Sequence, residues 1–187
     1  TSLAGVPSWM LVLIKRILEI KKVDDLRDIW PNLEVYFHGG VSFDPYREQY
    51  KKLFPRSDFN YYEIYNASEG FFAIQDLNNS NELLLMLDYG IFYEFIPMET
   101  FGTINQKVIR LADVELFKNY AVVITTNSGL WRYLIGDTIR FTSLNPHRIR
   151  VTGRTKHFIN VFGEELIVEN TDKAIAKACL ETESEVV

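Results

Sequence analysis

The residues of this sequence best suited to chemistry lie in one stretch, Tyr65-Asn66-Ala67-Ser68-Glu69-Gly70. Ser68 offers a hydroxyl and Glu69 a carboxylate able to hold a metal ion, while Ala67 and Gly70 leave room for a ligand. The stretch interrupts two strand-like runs. Tyr61, Tyr62, Ile64 and Tyr65 precede it and Phe71, Phe72 and Ile74 follow, all of them aromatic or β-branched. Taken alone, it reads most simply as a Ser- and Gly-containing turn between two strands.

Two more stretches follow in order: Leu130-Trp131-Arg132-Tyr133-Leu134-Ile135-Gly136-Asp137, then Thr152-Gly153-Arg154-Thr155-Lys156. Three motifs about 70 and then about 20 residues apart are far more specific than any one of them. Together YNASEG, WRYLIGD and GRTK resemble the ordered motifs of the adenylate-forming enzymes. The strongest likeness is to the auxin-responsive Gretchen Hagen family of acyl-acid amido synthetases, including its bacterial relatives, and it runs from about Gly5 to Asp172.

That resemblance implies a reaction in two steps. A small carboxylic acid attacks the α-phosphate of ATP, giving an acyl-adenylate and pyrophosphate, and the amine of an amino acid then displaces AMP to form an amide. It also implies roles. Asp137 would accept hydrogen bonds from the ribose 2′ and 3′ hydroxyls, Glu69 would carry the Mg²⁺ that bridges phosphate oxygens, and Ser68 would sit near the α-phosphate beside Ala67. Tyr65 would stack near the adenine, with Gly39 and Gly40 beside it, and Arg154 would reach the ribose or phosphate from a hinge at Gly153-Arg154. Pro7, Trp9, Met10 and Phe37 are candidates for an apolar acid pocket through their nearness to Gly39-Gly40, and serve equally well as core. An acyl-coenzyme A ligase shares the first step and differs in the acceptor. A nucleotide-binding or scaffolding domain without the chemistry is a rival of another class.

The sequence departs from the family pattern in places. Asn160 stands where many relatives place a Lys, and Gly163-Glu164-Glu165 does not follow the plant members. No phosphate loop of the form GxxxxGK[ST] or GxGxxG occurs. The chain is therefore expected to be an internal portion of a longer, bacterial-type polypeptide and not to turn over by itself.

Other chemistry is poorly supported. Asn66 occupies the position where a nucleophile elbow around Ser68 needs glycine. His38, His147 and His157 lack metal-ligand spacing, and Asp24-Asp25 and Glu164-Glu165 look like solvated turns.

Composition narrows the class further. At 187 residues and 47% hydrophobic, the chain can bury a substantial core. Its net charge of −5 and pI near 5.3 argue against a nucleic-acid surface, and Lys15-Arg16, Lys21-Lys22 and Lys51-Lys52 read as solvated helix faces. One cysteine, Cys179, leaves no internal disulfide and fits a reducing cytoplasm. The apolar run from Trp9 to Ile14 is cut off well short of the ~20 residues that span a bilayer. A soluble monomer is the simplest expectation.

The elements that must position the motifs follow from periodicity and punctuation. Pro7 and Ser8 open a helix whose Met10, Leu11, Leu13, Ile14, Ile17 and Leu18 face a core. Asp24 is expected to cap a short helix. Leu33 to Phe37 reads as a buried strand ending at His38-Gly39-Gly40, where α/β proteins commonly bind ligands. Asp44 as N-cap and Pro45 open a helix that Pro55 stops. Strand, helix and strand in this order predict an α/β fold with a parallel βαβ portion.

After Gly70 helical spacing vanishes. Strands are expected at Phe71–Leu77, Leu83–Leu87, Ile91–Ile96, Lys107–Leu111, Ala121–Thr126, Leu130–Leu134, Thr138–Thr142 and Arg148–Thr152, with a hairpin at Asp88-Tyr89-Gly90. They would close into a small antiparallel sheet or barrel. Phe158–Phe162 and Leu166–Val168 would pair, and Asn170 or Thr171 would cap a last helix. The expected division is residues 1–70 as part of the large adenylation subdomain, 71–153 as the antiparallel subdomain, and 154–187 as hinge and start of an α+β lid.

Overall fold

The computed structural model describes residues 1–55, 58–78, 80–155, 159–161, 164–166, 168–182 and 184, with the backbone alone described at 159–161, 164–166 and 168–170. The chain divides into two compact units, Thr1–Ile64 with Thr171–Val187, and Tyr65–Asn170.

The first unit holds three parallel strands. β1 (Ser2–Gly5) pairs with β2 (Val35–His38), Ser2 opposite Val35, and β2 pairs with β3 (Asn60–Ala67), His38 opposite Glu63. Helix α1 (Pro7–Lys21) connects the first two strands and α2 (Arg47–Leu53) the next two, as parallel pairing requires. β1 has no expectation behind it, because four residues that include Ala and Gly carry little strand signal.

The core of this unit is aromatic. Tyr36 of β2 stacks on Tyr50 of α2 with ring centroids 4.9 Å apart. The Tyr50 hydroxyl donates to the Pro7 carbonyl at 2.8 Å and the Tyr36 hydroxyl to the Gly5 carbonyl at 2.9 Å. Both phenols thus bury their rings while meeting backbone acceptors at the start of α1. α1 turns Leu11 and Ile14 inward, but Leu13, expected on the core side, is exposed, as are Trp9, Val12 and Ile20.

Two helix starts differ from expectation. Asp25, not Asp24, caps the single 3-10 turn Leu26–Asp28, its carboxylate accepting from the Arg27 amide at 2.9 Å. Asp44 is not an N-cap: it is the first residue of a 3-10 turn, Asp44–Tyr46, and α2 begins only at Arg47. The Asp44 carboxylate instead faces the Arg47 guanidinium at 3.4 Å.

The second unit is built on an antiparallel sheet in the order β4-β5-β10-β9-β8-β6-β7. Its strands are β4 (Gly70–Ile74), β5 (Leu83–Leu85), β6 (Ile91–Pro97), β7 (Ile109–Arg110), β8 (Asn119–Thr126), β9 (Tyr133–Leu144) and β10 (His147–Arg154). Phe72, Leu83, Phe95, Tyr120, Ile124, Ile139, Phe141 and Ile149 fill one face of it. Ile96, Ala121 and Val123 form a smaller cluster with Met98 and Phe101.

Asp88-Tyr89-Gly90 is a loop and not a hairpin turn. β5 pairs with β4 and β10, whereas β6 pairs with β7 and β8, so the two strands flanking that loop are not neighbours. Of the expected strand Leu130–Leu134 only Tyr133 and Leu134 are strand, and they run on through Thr138–Thr142 as one strand, β9, of 12 residues. Gly136 keeps it continuous with φ of +91°, which glycine adopts without strain. The pairing of β9 with β8 shifts register there, between Ala121 and Val123, so the strand bends without ending.

β11 (Ile159–Val161) and β12 (Glu164–Leu166) pair antiparallel, Asn160 opposite Glu165. The expected strand ends Phe158 and Phe162, and Gly163 in the expected turn, lie outside the described residues. α3 (Val168–Thr182) starts ahead of Asn170 and Thr171, so neither is its cap. Among the described residues no helix is long and apolar enough to cross a membrane, which says nothing of a β-barrel.

Candidate functional site

The YNASEG stretch is the end of β3, a two-residue turn at Ser68-Glu69, and the start of β4. A turn this short leaves its side chains outside the sheet: Asn66, Ala67 and Ser68 are exposed and Glu69 is half-buried. Tyr65, one position before, points the other way and is buried in the core, its ring 5.0 Å from that of Phe72.

Asp137 sits on β9 between Ile135 and Ile139, both of them core residues, so strand alternation brings its carboxylate to the core-facing side. A largely buried carboxylate needs partners. Among the described residues it has two. The Tyr65 hydroxyl donates to Oδ2 at 2.9 Å, and the Arg154 Nε lies 2.9 Å from Oδ1. Arg154 is opposite Asp137 in the β9–β10 pairing, which fixes the ion pair from the backbone. Asp137 is 15% exposed and Arg154 59%. Burial, and then the Asp137 charge, push the Tyr65 phenol well above its ordinary range, so it remains a donor at neutral pH.

All three motifs therefore converge on one carboxylate: Tyr65 from the first, Asp137 from the second and Arg154 from the third. An ionised carboxylate accepts about four hydrogen bonds. With one protein partner on each oxygen, Asp137 keeps lone pairs for a diol.

Several residues that sequence reasoning did not single out support this arrangement. The Tyr133 hydroxyl hydrogen bonds to Glu69, and this bond raises the phenol above its ordinary range. Tyr133 belongs to the second motif, but its partner lies in the first, and no local pattern announces the pair. Thr155 donates to the Gly136 carbonyl from its amide at 2.8 Å and its hydroxyl at 3.3 Å, tying the residue after Arg154 to the residue before Asp137. Arg132, at φ of +44°, makes two hydrogen bonds to Glu94, at 2.9 and 3.1 Å.

A metal at this turn would have Glu69 as its protein ligand. Among the described residues no group of three or more His, Cys, Asp or Glu side chains forms a cage. A single carboxylate still fits Mg²⁺, which is commonly held by one or two carboxylates together with substrate phosphates and waters.

The remaining candidates belong to the first unit. Gly39 follows β2, and a Cβ there would come 2.4 Å from the Ile64 carbonyl oxygen. Gly40 has φ of +84°. Both glycines thus have a backbone reason to be glycine, whatever else they touch. Pro7 is buried at the head of α1, Met10 packs on the aromatic core, and Phe37 lies 6.0 Å from the ring of Tyr62. Trp9 is 79% exposed and shares no buried face with Pro7 and Met10.

Comparison with known proteins bears on the whole chain. The sequence pattern of the GH3 family N-terminal domain matches residues 1–59, and that of the GH3 family central domain matches residues 84–154. The chain belongs to the GH3 family. It is 34% identical over 131 residues to the indole-3-acetic acid-amido synthetase GH3.4 of Arabidopsis thaliana, covering 63% of this chain and 21% of that protein. With the indole-3-acetic acid-amido synthetase GH3.8 of Oryza sativa subsp. indica it shares 30% identity over 163 residues, 80% of this chain and 26% of that one. This GH3 chain thus spans 21% and 26% of the length of these two relatives.

Among solved structures, the GH3.15 acyl acid amido synthetase superposes with a TM-score of 0.66 at 22% identity, covering 84% of this chain and 28% of that one. A 2-hydroxyisobutyryl-CoA ligase in the postadenylation state, in complex with R3-HIB-AMP, gives 0.65 at 16% identity, covering 94% and 37%. The GH3 chain thus shares a mixed α/β fold with part of each of these two proteins.

Proposed function

We propose that the polypeptide carrying this chain is an ATP-dependent acyl-acid amido synthetase. The observation that supports this most is the convergence of three motifs on Asp137, in a chain of the GH3 family. In this reading a carboxylate oxygen of the acid attacks the α-phosphorus of ATP and pyrophosphate leaves. The amine of an amino acid then attacks the acyl carbon, loses a proton, and AMP leaves with the shared oxygen. Such catalysis is mainly positioning and charge stabilisation.

The residues divide the work. Asp137 would hold the ribose diol, Arg154 the ribose or phosphate, and Ser68 with Ala67 the neighbourhood of the α-phosphate. Glu69 would hold Mg²⁺, whose charge offsets that of the phosphates. Gly39 and Gly40 would lie by the adenine, and Pro7, Trp9, Met10 and Phe37 would border the acid. The division into 1–70, 71–153 and 154–187 is the functional counterpart: nucleotide and acid side, antiparallel support, and hinge with lid. A cytoplasmic monomer belongs to this reading. So does a bacterial-type, internal portion of a longer polypeptide, given the short share of its relatives that it spans and the Gly163-Glu164-Glu165 departure.

The test is AMP release by the complete polypeptide with ATP, Mg²⁺ and a panel of carboxylic acids, offering either amino acids or coenzyme A. Amino-acid-dependent AMP release with an amide identified by mass is the expected outcome. Dependence on coenzyme A would move the protein to the acyl-coenzyme A ligases, and AMP binding without release would leave a nucleotide-binding domain.

A further inference from the structure

We propose that Arg132 binds the α-carboxylate of the acceptor amino acid, and that Glu94 holds its guanidinium in place to do so. The inference deepens the synthetase reading and rests on it.

Arg132 stands at the entry to β9 with φ of +44°, a left-handed backbone that glycine adopts without strain. A turn alone would be better served by glycine, so what this position keeps is the side chain. Its two ends are fixed separately. The backbone amide donates to Thr125 Oγ1 at 3.0 Å, while Nε donates to Glu94 Oε2 at 2.9 Å and Nη2 to Oε1 at 3.1 Å.

Exposure decides which way the pair faces. Glu94 is 17% exposed and Arg132 60%, so the acid lies inside and the guanidinium looks out. Of the five N–H donors of an arginine, Glu94 takes two, and the other three meet no partner among the described residues. A planar fork locked along one edge and open along the other fits a second carboxylate through two parallel hydrogen bonds. Because it is already held, little side-chain freedom remains to be lost on binding. Its place suits the acceptor as well. The next residue, Tyr133, hydrogen bonds to Glu69, the residue proposed to carry Mg²⁺. An amino acid arrives as a zwitterion, and a cation on its carboxylate is what separates it from a simple amine.

The experiment gives the complete polypeptide ATP, Mg²⁺ and its acid, and follows amide formation with a panel of α-amino acids and the matching carboxamides, which keep the amine and lose the carboxylate charge. Wild-type protein is expected to favour the amino acid about 10- to 100-fold in kcat/KM, the worth of charge-assisted hydrogen bonds. Arg132→Gln is expected to remove that preference by raising KM for the amino acid far more than for the carboxamide. Arg132→Lys, which keeps the charge without the fork, should recover part of it. Glu94→Gln should raise the amino-acid KM alone and by less. No preference in the wild-type protein overturns the proposal whatever the variants do, and equal losses with both acceptors in Arg132→Gln overturn it by making the ion pair purely structural. Wild-type protein without acid-dependent ATP/pyrophosphate exchange, or without amide from any amino acid, overturns the synthetase reading itself, a distinct failure.

Discussion

Asp137 is both the acceptor of Tyr65 and Arg154 and the proposed ribose ligand, and substitution there separates the two roles. Asp137→Ala is expected to weaken AMP binding by ~1.5–3 kcal/mol, the range for a lost hydrogen bond to a charged group, as read by titration calorimetry. Unchanged affinity would make the carboxylate merely the buried acceptor of Tyr65 and Arg154. Glu69→Gln tests the metal role. Gln still accepts from Tyr133, so the melting temperature should hold while the Mg²⁺ needed for half-maximal adenylation rises about tenfold or more. Equal loss of stability and activity would point to a structural residue. His38 gives a pH signature. It is 2% exposed, stacks on Phe43 with ring centroids 4.0 Å apart, and burial, helped by the Arg47 charge, pushes its imidazole down to about 3. The folded state therefore binds fewer protons than the unfolded chain, and stability present above the unfolded value near 6.5 is lost as pH falls toward 3. The loss at pH 5 is about 2 kcal/mol, measurable by denaturant titration, and His38→Phe should flatten it.

The elements were legible in proportion to how local their causes are. The βαβ order came through because Pro7, Pro45 and Pro55 punctuate it and apolar spacing fills the rest. The strands of the second unit were visible as apolar runs, but their partners were not. β5 and β6 are separated by a turn-like Asp88-Tyr89-Gly90 and yet pair elsewhere, a choice made by long-range packing around Phe95, Phe141 and Ile149. The single β9 was hidden by Gly136, which reads as a strand breaker and acts as a bend. At the site, the resemblance of the three ordered motifs to a known family pointed to Asp137, Arg154 and Tyr65, whereas the bond between Tyr65 and Asp137 belongs to the folded sheet alone. Gly39 is the clearest element-scale prediction. An added methyl would meet the Ile64 carbonyl, part of the β3 backbone, which cannot swing aside as a flexible side chain would. Gly39→Ala is expected to destabilise by about 1–3 kcal/mol in chemical denaturation.

At the scale of the whole molecule, helix α1 has apolar residues on more than one side. Leu11 and Ile14 enter the core, while Trp9, Val12, Leu13 and Ile20 stay in water. The consequence is colloidal. A chain that displays such a stripe should bind an environment-sensitive hydrophobic dye in its native state, before any unfolding begins. Replacing Val12 and Leu13 with glutamate is expected to lower that fluorescence and raise the concentration the protein tolerates. Neither side chain is part of the core, so the unfolding free energy should change by no more than about 0.5 kcal/mol per substitution. In practical handling, the helix that closes one core therefore sets how the chain behaves in a test tube.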